Sequence, residues 1–280
     1  MKILCLHGFG TNPGVMKRQM SPLIKHCDPT WQFHFLAGKV ECPAAPGVAG
    51  AFPGPYLCWS LDFDALTTRA ALDLIHEAFQ SEGPFDGVFG FSQGASIIAT
   101  YLLEQADLYP DRPLPVRFGI FCCSPPIVTA DQAYIQNLYG TLSAEDIQRL
   151  RSAEDDQIAQ LPDPVRRAAI MLLGGLAATE PVHGKPYSHF LDRPSSEIPC
   201  VALPDQYAAR LSIPTLHVYG KDDPLSMQEA SILNGSFCDP RWRKFFKHSA
   251  IHNLPRSPTE AKEMVSLMEW VISQSQRSRL

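Results

Sequence analysis

Short apolar runs along the chain alternate with segments that have helical periodicity. Most of these runs are continuously apolar, whereas the second run along the chain alternates apolar with polar residues. Both patterns are typical of strands. The predicted strands cover residues 2–6, 31–36, 85–91, 116–122, 214–219 and 242–247. The predicted helices of this alternation cover residues 16–23, 64–81, 95–103 and 259–272. Nearly all-apolar strands separated by helices predict an α/β fold with a mostly parallel, doubly wound sheet that is covered on both faces.

Two segments interrupt this alternation. Residues 37–59 are rich in Gly, Pro and small residues, and a loop of this length in a compact domain is often functional. Residues 125–211 contain helical patterns around 144–153 and 164–173 but no convincing central strand. We therefore expect one domain over residues 1–280, with a helical cap or lid inserted at about residues 126–211, above the carboxyl edge of the sheet.

The bulk composition narrows the classes of function. The chain has 280 residues, 45% of them hydrophobic, and a net charge of -5 without a basic stripe, which argues against nucleic acid as a partner. No apolar stretch approaches the ~20 residues that span a bilayer, and the short apolar run at the start does not resemble a secretory signal. The eight cysteines show neither a CxxC nor a Cys/His zinc spacing. We expect reduced structural thiols, no metal, no cofactor, no membrane span and a cytoplasmic location.

The run Gly90-Phe91-Ser92-Gln93-Gly94 follows a predicted buried strand and precedes a predicted helix. A nucleophile elbow needs this setting, because a sharp turn there exposes the serine hydroxyl at the carboxyl edge of the sheet. Glycine at both flanking positions removes side chains that would collide with the neighbouring strand and helix. Ser92 is therefore our candidate nucleophile.

A second Gly-rich turn, His7-Gly8-Phe9-Gly10, ends the first predicted strand. Acyl transfer builds negative charge on a carbonyl oxygen, and backbone N–H groups aimed at that oxygen stabilise the charge. We expect the N–H of Gln93, at a helix N-terminus, and the N–H of Phe9 to form this oxyanion hole. We interpret His7 itself as structural support.

The later strand ends offer candidates for the carboxylate and the histidine base that would assist Ser92. Asp222 and Asp223 follow residues 214–219, and either can orient an imidazole, with Asp223 favoured by its position after the glycine. His248 and His252 follow the last predicted strand, and His252 is favoured because it lies in the loop before the last helix. The chain order Ser, Asp, His is that of the α/β-hydrolases.

Three segments resemble the FSH family of serine hydrolases, which includes fungal thioesterases encoded beside polyketide synthases. They are ILCLHGFGTN at residues 3–12, PFDGVFGFSQGA at residues 84–95 and IPTLHVYG at residues 213–220. The resemblance implies an α/β-hydrolase fold and cleavage of an ester or thioester by a triad of Ser92, Asp223 and His252. Two features depart from the family: Ala250-Ile251 stands where members often have Gly-Gly before the histidine, and the inserted segment is longer than in simple members.

The sequence thus predicts a serine hydrolase that acts through an acyl-enzyme on a small-molecule ester or acyl thioester. The resemblance adds a polyketide or fatty acyl chain on an acyl carrier protein as a substrate, with an acyl pocket formed by the long loop, Trp59 at its end, and the insertion. The alternatives are a short-chain carboxylesterase, cyclisation of the acyl chain by an internal nucleophile, and ligand binding without catalysis.

Overall fold

The computed structural model describes residues 1–277, and a six-stranded parallel sheet lies at its centre. The order across this sheet is β2-β1-β5-β6-β7-β8, and all five neighbouring pairs are parallel. Its strands are β1 (Lys2–Leu6), β2 (Gln32–Leu36), β5 (Gly87–Phe91), β6 (Phe118–Cys122), β7 (Thr215–Gly220) and β8 (Arg243–His248). Two short strands, β3 (Val40–Glu41) and β4 (Leu57–Cys58), pair antiparallel within the long loop. The α/β-hydrolase architecture predicted from the sequence is confirmed.

The helices of the alternating pattern lie close to where the sequence predicts them. They are α1 (Pro13–Ile24), α2 (Ala65–Glu82), α3 (Gln93–Leu108) and α10 (Pro258–Arg277). One further helix of this alternation, α9 (Leu225–Gly235), was not predicted, because Leu225 and Ile232 are exposed apolar residues that break its amphipathic pattern.

Alternate residues of each strand face opposite sides of the sheet, so the chain forms two cores. On one side, Ile3 and Cys5 of β1 pack with methionines of α1 and α10. On the other side, Leu4 and Leu6 pack with residues of α2, α3 and the segment between β6 and β7. Both faces of the central strands are therefore buried, which explains their continuously apolar sequence.

Between β6 and β7 the chain forms five helices and a short 3-10 turn at Ser195–Glu197. The helices are α4 (Gln132–Tyr139), α5 (Ala144–Ser152), α6 (Asp155–Ile158), α7 (Val165–His183) and α8 (Tyr187–Leu191). An antiparallel bridge between Val128 and Val201 closes the base of this segment. Helix α7 continues well past residue 173, where the sequence pattern stopped. Gly174 and Gly175, which follow the predicted pattern, allow close approach to Ser226 and Pro126.

Candidate active site

Ser92 occupies the sharp turn between β5 and α3. Its backbone angles, φ of 52° and ψ of -123°, lie outside the regions that residues other than glycine ordinarily adopt. Its N–H donates to the Cys122 carbonyl of the next strand at 2.8 Å. A strained backbone that is held by such packing is common at functional sites. The turn leaves Ser92 8% exposed, at the floor of a cavity.

The glycines on either side of this turn are required by packing. A Cβ at Gly90 would collide with the backbone of Ala95. A Cβ at Gly94 would collide with the carbonyl groups of Leu6 and His7. The elbow thus presses α3 against the end of β1, which holds Ser92 close to the turn that follows that strand.

A chain of hydrogen bonds joins Ser92, His252 and Asp223. The Ser92 Oγ lies 2.9 Å from Nε2 of His252, and Nδ1 of His252 lies 3.0 Å from Oδ1 of Asp223. With the imidazole proton on Nδ1, the ring donates to the carboxylate and Nε2 accepts from the serine hydroxyl. The side chain of Asp223 is fully buried, and its Oδ2 accepts from the Gly220 N–H at 3.1 Å, so the carboxylate is fixed at both oxygens.

The two alternatives left open by the sequence lie elsewhere. Asp222 is exposed, whereas Asp223 next to it is buried against the histidine. His248 is 1% exposed, and its Nδ1 accepts from the Ala250 N–H at 3.2 Å. Burial lowers the pKa of His248, so it is a neutral packed ring.

Cys123 positions the histidine loop. Its thiol donates to the Asn253 carbonyl at 3.4 Å, directly after His252. The potential ligand atoms of Cys123, Asp223 and His252 all lie within 4.8 Å of one another. Burial holds the pKa of the Cys123 thiol well above its usual value, so the sulfur stays protonated and is a poor metal ligand. These properties favour a hydrogen-bonded cluster over a metal site.

The turn after β1 lies directly against the serine. A Cβ added to Gly8 would approach the Ser92 Cβ to 3.2 Å, so only glycine fits comfortably. The next residue, Phe9, and the first residue of α3, Gln93, both line the cavity beside Ser92. Neither backbone N–H takes part in the backbone hydrogen bonds found among residues 1–277. Phe9 and Gln93 thus border the same cavity as Ser92, and their N–H groups as the oxyanion hole stay a prediction.

His7 supports this turn from below. It is fully buried, its Nδ1 donates to the Gly8 carbonyl at 2.8 Å, and its Nε2 accepts from the Gly38 N–H at 3.0 Å. Burial lowers the pKa of His7 to about 4, so the ring is neutral and keeps one tautomer.

Trp59 does not line the cavity, in contrast to the substrate contact that the sequence suggested. Its indole N–H donates to the His7 carbonyl at 2.7 Å, and its backbone N–H donates to Oε1 of Gln93 at 3.0 Å. Gln93 also donates from Nε2 to the Ser60 carbonyl. The large apolar ring turns inward because its polar group finds a partner there. Trp59 therefore ties the long loop to the elbow.

The cavity above Ser92 has a volume of about 840 Å³, within the range of small-molecule sites. The long loop contributes Val48 and Phe52, and helix α7 contributes Leu172 and Leu176. His183, at the end of α7, also lines it, and its buried ring donates to the Leu176 carbonyl at 3.1 Å. The sequence favoured a solvated His183, and its burial instead depends on a contact within the inserted helices.

An ion-pair cluster attaches the inserted helices to the loop before α2. Asp62 contacts Lys185 at 2.7 Å, His189 at 2.8 Å and Arg193 at 3.4 Å. Arg193 also contacts Asp64, the N-cap of α2, at 2.9 Å. Burial raises the pKa of the Asp62 carboxyl, but hydrogen bonds from His189 and Lys185 and the charges of Lys185 and Arg193 outweigh it and hold this pKa well below its usual range.

A search of the helices within residues 1–277 found none with the length and apolar character of a membrane span.

Comparisons with known proteins agree with this architecture. Residues 1–264 match the family described as serine hydrolase (FSH1). The serine hydrolase cnsH of Penicillium expansum is 40% identical over 85% of this chain and 97% of its own length. The esterase alnB of Emericella nidulans is 32% identical over 100% of this chain and 99% of its own length.

Likeness to a solved structure bears on the fold and not on the activity. The monoacylglycerol lipase of Paleococcus ferrophilus is 14% identical and superposes with a TM-score of 0.50, over 97% of this chain and 94% of that chain. The family match covers most of the chain, including β1, the elbow and the strand ends that carry Asp223 and His252. The chain belongs to the FSH1 family of serine hydrolases.

Proposed function

We propose that this serine hydrolase cleaves an ester or an acyl thioester by two-step acyl transfer, with Ser92, His252 and Asp223 as its catalytic triad. The observation that carries the proposal is the unbroken hydrogen-bond chain from the Ser92 hydroxyl through His252 to the buried Asp223 carboxylate. A serine hydroxyl is a weak nucleophile until an adjacent base accepts its proton, and this geometry supplies that base.

In the first step, Ser92 Oγ attacks the substrate carbonyl while His252 Nε2 accepts the hydroxyl proton. The imidazolium that forms is stabilised by Asp223, to which it donates from Nδ1. The N–H groups of Phe9 and Gln93 hold the negative oxygen of the tetrahedral intermediate, and one such donor is worth about 10²–10³-fold in rate. His252 then gives the proton to the departing alcohol or thiol, which leaves an acyl group on Ser92.

In the second step, His252 accepts a proton from water as the water oxygen attacks the acyl carbonyl. The same amides stabilise the second oxyanion, and Ser92 recovers its proton when the acid leaves. Cyclisation differs only in that a hydroxyl of the acyl chain replaces water. Products formed in isotope-labelled water distinguish the two, because only hydrolysis places the label in the released carboxylate.

The inserted helices act in this proposal as a cap that binds the acyl chain. Leu172 and Leu176 of α7, together with loop residues such as Phe52, give the cavity an apolar wall. Apolar lining around a few polar groups is typical of small-molecule sites. A polyketide or fatty acyl group fits such a wall, presented either on a small alcohol or thiol or on an acyl carrier protein. Comparing the turnover of one acyl group on these carriers identifies the leaving group that is used.

A cytoplasmic setting completes the proposal. All eight cysteines are free thiols, and six of them are buried. Unpaired cysteines in this number favour a reducing compartment.

Covalent labelling tests the triad directly. An alkyl fluorophosphonate should phosphonylate the wild-type protein at one site, which intact mass and peptide mapping will locate at Ser92. Ser92→Ala should abolish labelling and lower ester turnover by about 10⁴-fold or more. Ser96→Ala is the matched control, since Ser96 lines the same cavity but donates to the Pro126 carbonyl at 2.8 Å. Absence of labelling in the wild type, or labelling that persists in Ser92→Ala, contradicts the proposal.

A further inference from the structure

The charged residues that line the cavity are all cations. The chain has 29 acidic residues against 24 lysines and arginines, so an average patch of its surface is slightly negative. Arg18, Lys25 and Arg256 nevertheless line the cavity, and no Asp or Glu within residues 1–277 does so. A cavity with this charge attracts an anion in a protein whose net charge would repel one.

Within residues 1–277, the side chains of these three cations have neither an ion-pair partner nor a hydrogen-bond partner. Elsewhere, arginines such as Arg69, Arg149 and Arg167 are ion-paired with carboxylates at 2.5–3.0 Å. Arg18, Lys25 and Arg256 are exposed, and none takes part in the ion pairs of the described chain. Their donors are therefore available to a ligand.

The cations come from two neighbouring elements. Arg18 lies in α1, and Lys25 is the C-cap residue that follows this helix with helical backbone angles. Their separation of seven residues places them on one face, about 10 Å apart along the helix axis. Pro22 and Gln19 of the same face also line the cavity. Arg256 lies between His252 and the start of α10, and α10 packs against α1. The loop that carries the candidate base thus also carries one of the cations.

The apolar lining lies on the other side of the sheet. It is formed by Leu172, Leu176, Val182 and Val201 from the inserted segment, with Ile97 of α3. Leu172, Leu176 and Ile97 belong to the core on one face of the sheet, whereas α1 and α10 pack in the core on the other face. An acyl chain is stabilised by this apolar wall, because burial removes its surface from water. With the acyl chain bound there, the lining left for the leaving group is the part that α1 and Arg256 contribute.

From this separation we propose that Arg18, Lys25 and Arg256 form an anion subsite that binds a phosphate or carboxylate carried by the leaving group of the substrate. The inference rests on the proposed function, since it assumes that the acyl group is transferred to Ser92. Arginine suits either anion, because its planar N–H groups bind two oxygens at once. The subsite acts before the leaving group departs, so it selects among substrates during acylation.

Three octanoyl thioesters test the subsite. One has the neutral leaving thiol N-acetylcysteamine, one has phosphopantetheine and one has 3-mercaptopropionate. Exposed ion pairs are worth up to about fivefold each, so we expect kcat/KM of the wild type for at least one anionic thioester to exceed that of the neutral thioester by about tenfold. The phosphate and carboxylate arms show which anion is preferred. Added salt should reduce the preference by screening.

Charge-removing variants supply the second arm of the test. The triple variant Arg18→Gln, Lys25→Gln and Arg256→Gln should bring the ratio of anionic to neutral kcat/KM close to one. The neutral thioester measured on the same variant corrects for any loss of folded enzyme. Lys17→Gln is the matched control: Lys17 is exposed on α1 next to Arg18 but does not line the cavity, so this variant should keep the wild-type ratio.

Equal efficiency of the wild type on all three thioesters, or a preference that survives in the triple variant, overturns the subsite. If the wild type turns over none of the three thioesters, it is the proposed function that fails, and not the subsite. In that event, calorimetric binding of the same thioesters to Ser92→Ala decides the subsite, because binding requires no acyl transfer. Tighter binding of the anionic thioesters supports it, and equal affinity overturns it.

Discussion

The carboxyl edge of the sheet and the inserted segment between β6 and β7 build the same cavity by different means. At the sheet edge, Ser92, Asp223 and His252 each follow a strand, and backbone contacts fix their positions. The inserted helices contribute Leu172 and Leu176, whose positions depend on side-chain packing and on the ion pairs of Asp62. The first region is suited to hold reacting atoms, and the second is suited to vary with the substrate.

This difference predicts how each region responds to substitution. A change at the sheet edge should affect the rate of the chemical step for every substrate. A change in the inserted helices should affect stability and substrate preference, with a smaller effect on the chemistry.

Asp223→Asn should have the largest effect. An asparagine amide in this position can donate to the imidazole and so favours the tautomer with the proton on Nε2, which can no longer accept from Ser92. We expect kcat to fall about 10⁴-fold with little change in thermal stability, measured with a p-nitrophenyl ester and by circular dichroism. Asp222→Asn, which changes the exposed neighbour, should keep wild-type kcat. Similar losses in both variants would argue that the two aspartates share the role.

Two glycine-to-alanine substitutions, one in each region, should lower the free energy of unfolding by different amounts. In Gly94→Ala the new Cβ meets the Leu6 and His7 carbonyls, so we expect a loss of about 3 kcal/mol or more in the free energy of unfolding. In Gly184→Ala, at the end of α7, the Cβ meets open space and only the φ of 63° is unfavourable, which should cost about 1 kcal/mol. Urea unfolding of both variants measures the difference. Equal costs would show that the elbow relaxes around the methyl group.

The same difference explains what could be predicted from the sequence. Strands such as β5 and β6 are buried on both faces, so their apolar runs predict where they end and place their starts within two residues. Ser92 was found because the elbow requires glycine at positions 90 and 94, which leaves a local pattern. The sequence favoured Asp223 over Asp222 only by its position after the glycine, and the fold adds that Asp223 is buried whereas Asp222 is exposed.

The inserted segment was less predictable, because its structure depends on contacts between residues distant in sequence. Helix α7 continues through Gly174 and Gly175, since their small size admits Ser226 and Pro126. The contact between Asp62 and His189 spans 127 residues and has no local pattern. Trp59 was assigned to the cavity from its loop, but its indole N–H finds the His7 carbonyl beneath it.

Leu176→Ala tests whether the inserted helices set acyl preference. Leu176 is buried and lines the cavity, so its truncation enlarges the space available to the acyl chain. Each additional methylene accommodated there is worth about 0.8 kcal/mol, so the kcat/KM ratio of a longer to a shorter acyl ester should rise about fourfold. The truncation should also cost about 2–3 kcal/mol of stability.

Leu150→Ala is the matched control for Leu176. Leu150 lies in α5, is fully buried and does not line the cavity. Its truncation should lower stability by a similar amount and leave the ratio of long to short esters at the wild-type value. A shift of acyl preference in both variants would mean that loosening the inserted helices, and not the wall at Leu176, changes the ratio.

Asp62→Asn should have the smallest effect, and its pH dependence identifies the cause. Lys185, His189 and Arg193 face the carboxylate and lower its pKa in the folded chain. Because the folded pKa lies below the unfolded value of about 4, the carboxylate contributes stability above that pH and loses it as the pH falls toward the folded pKa. For this partly exposed cluster we expect Asp62→Asn to lower the free energy of unfolding by about 1 kcal/mol at neutral pH, and its difference from wild type to narrow below about pH 4.

Urea unfolding at a series of pH values measures this difference, with Asp205→Asn as the control. Asp205 pairs with Arg167 within the inserted segment at a more exposed position, so its loss should cost less and leave the attachment to α2 unchanged. A cost for Asp62→Asn that stays constant as the pH falls would mean that the cluster acts through packing and not through charge.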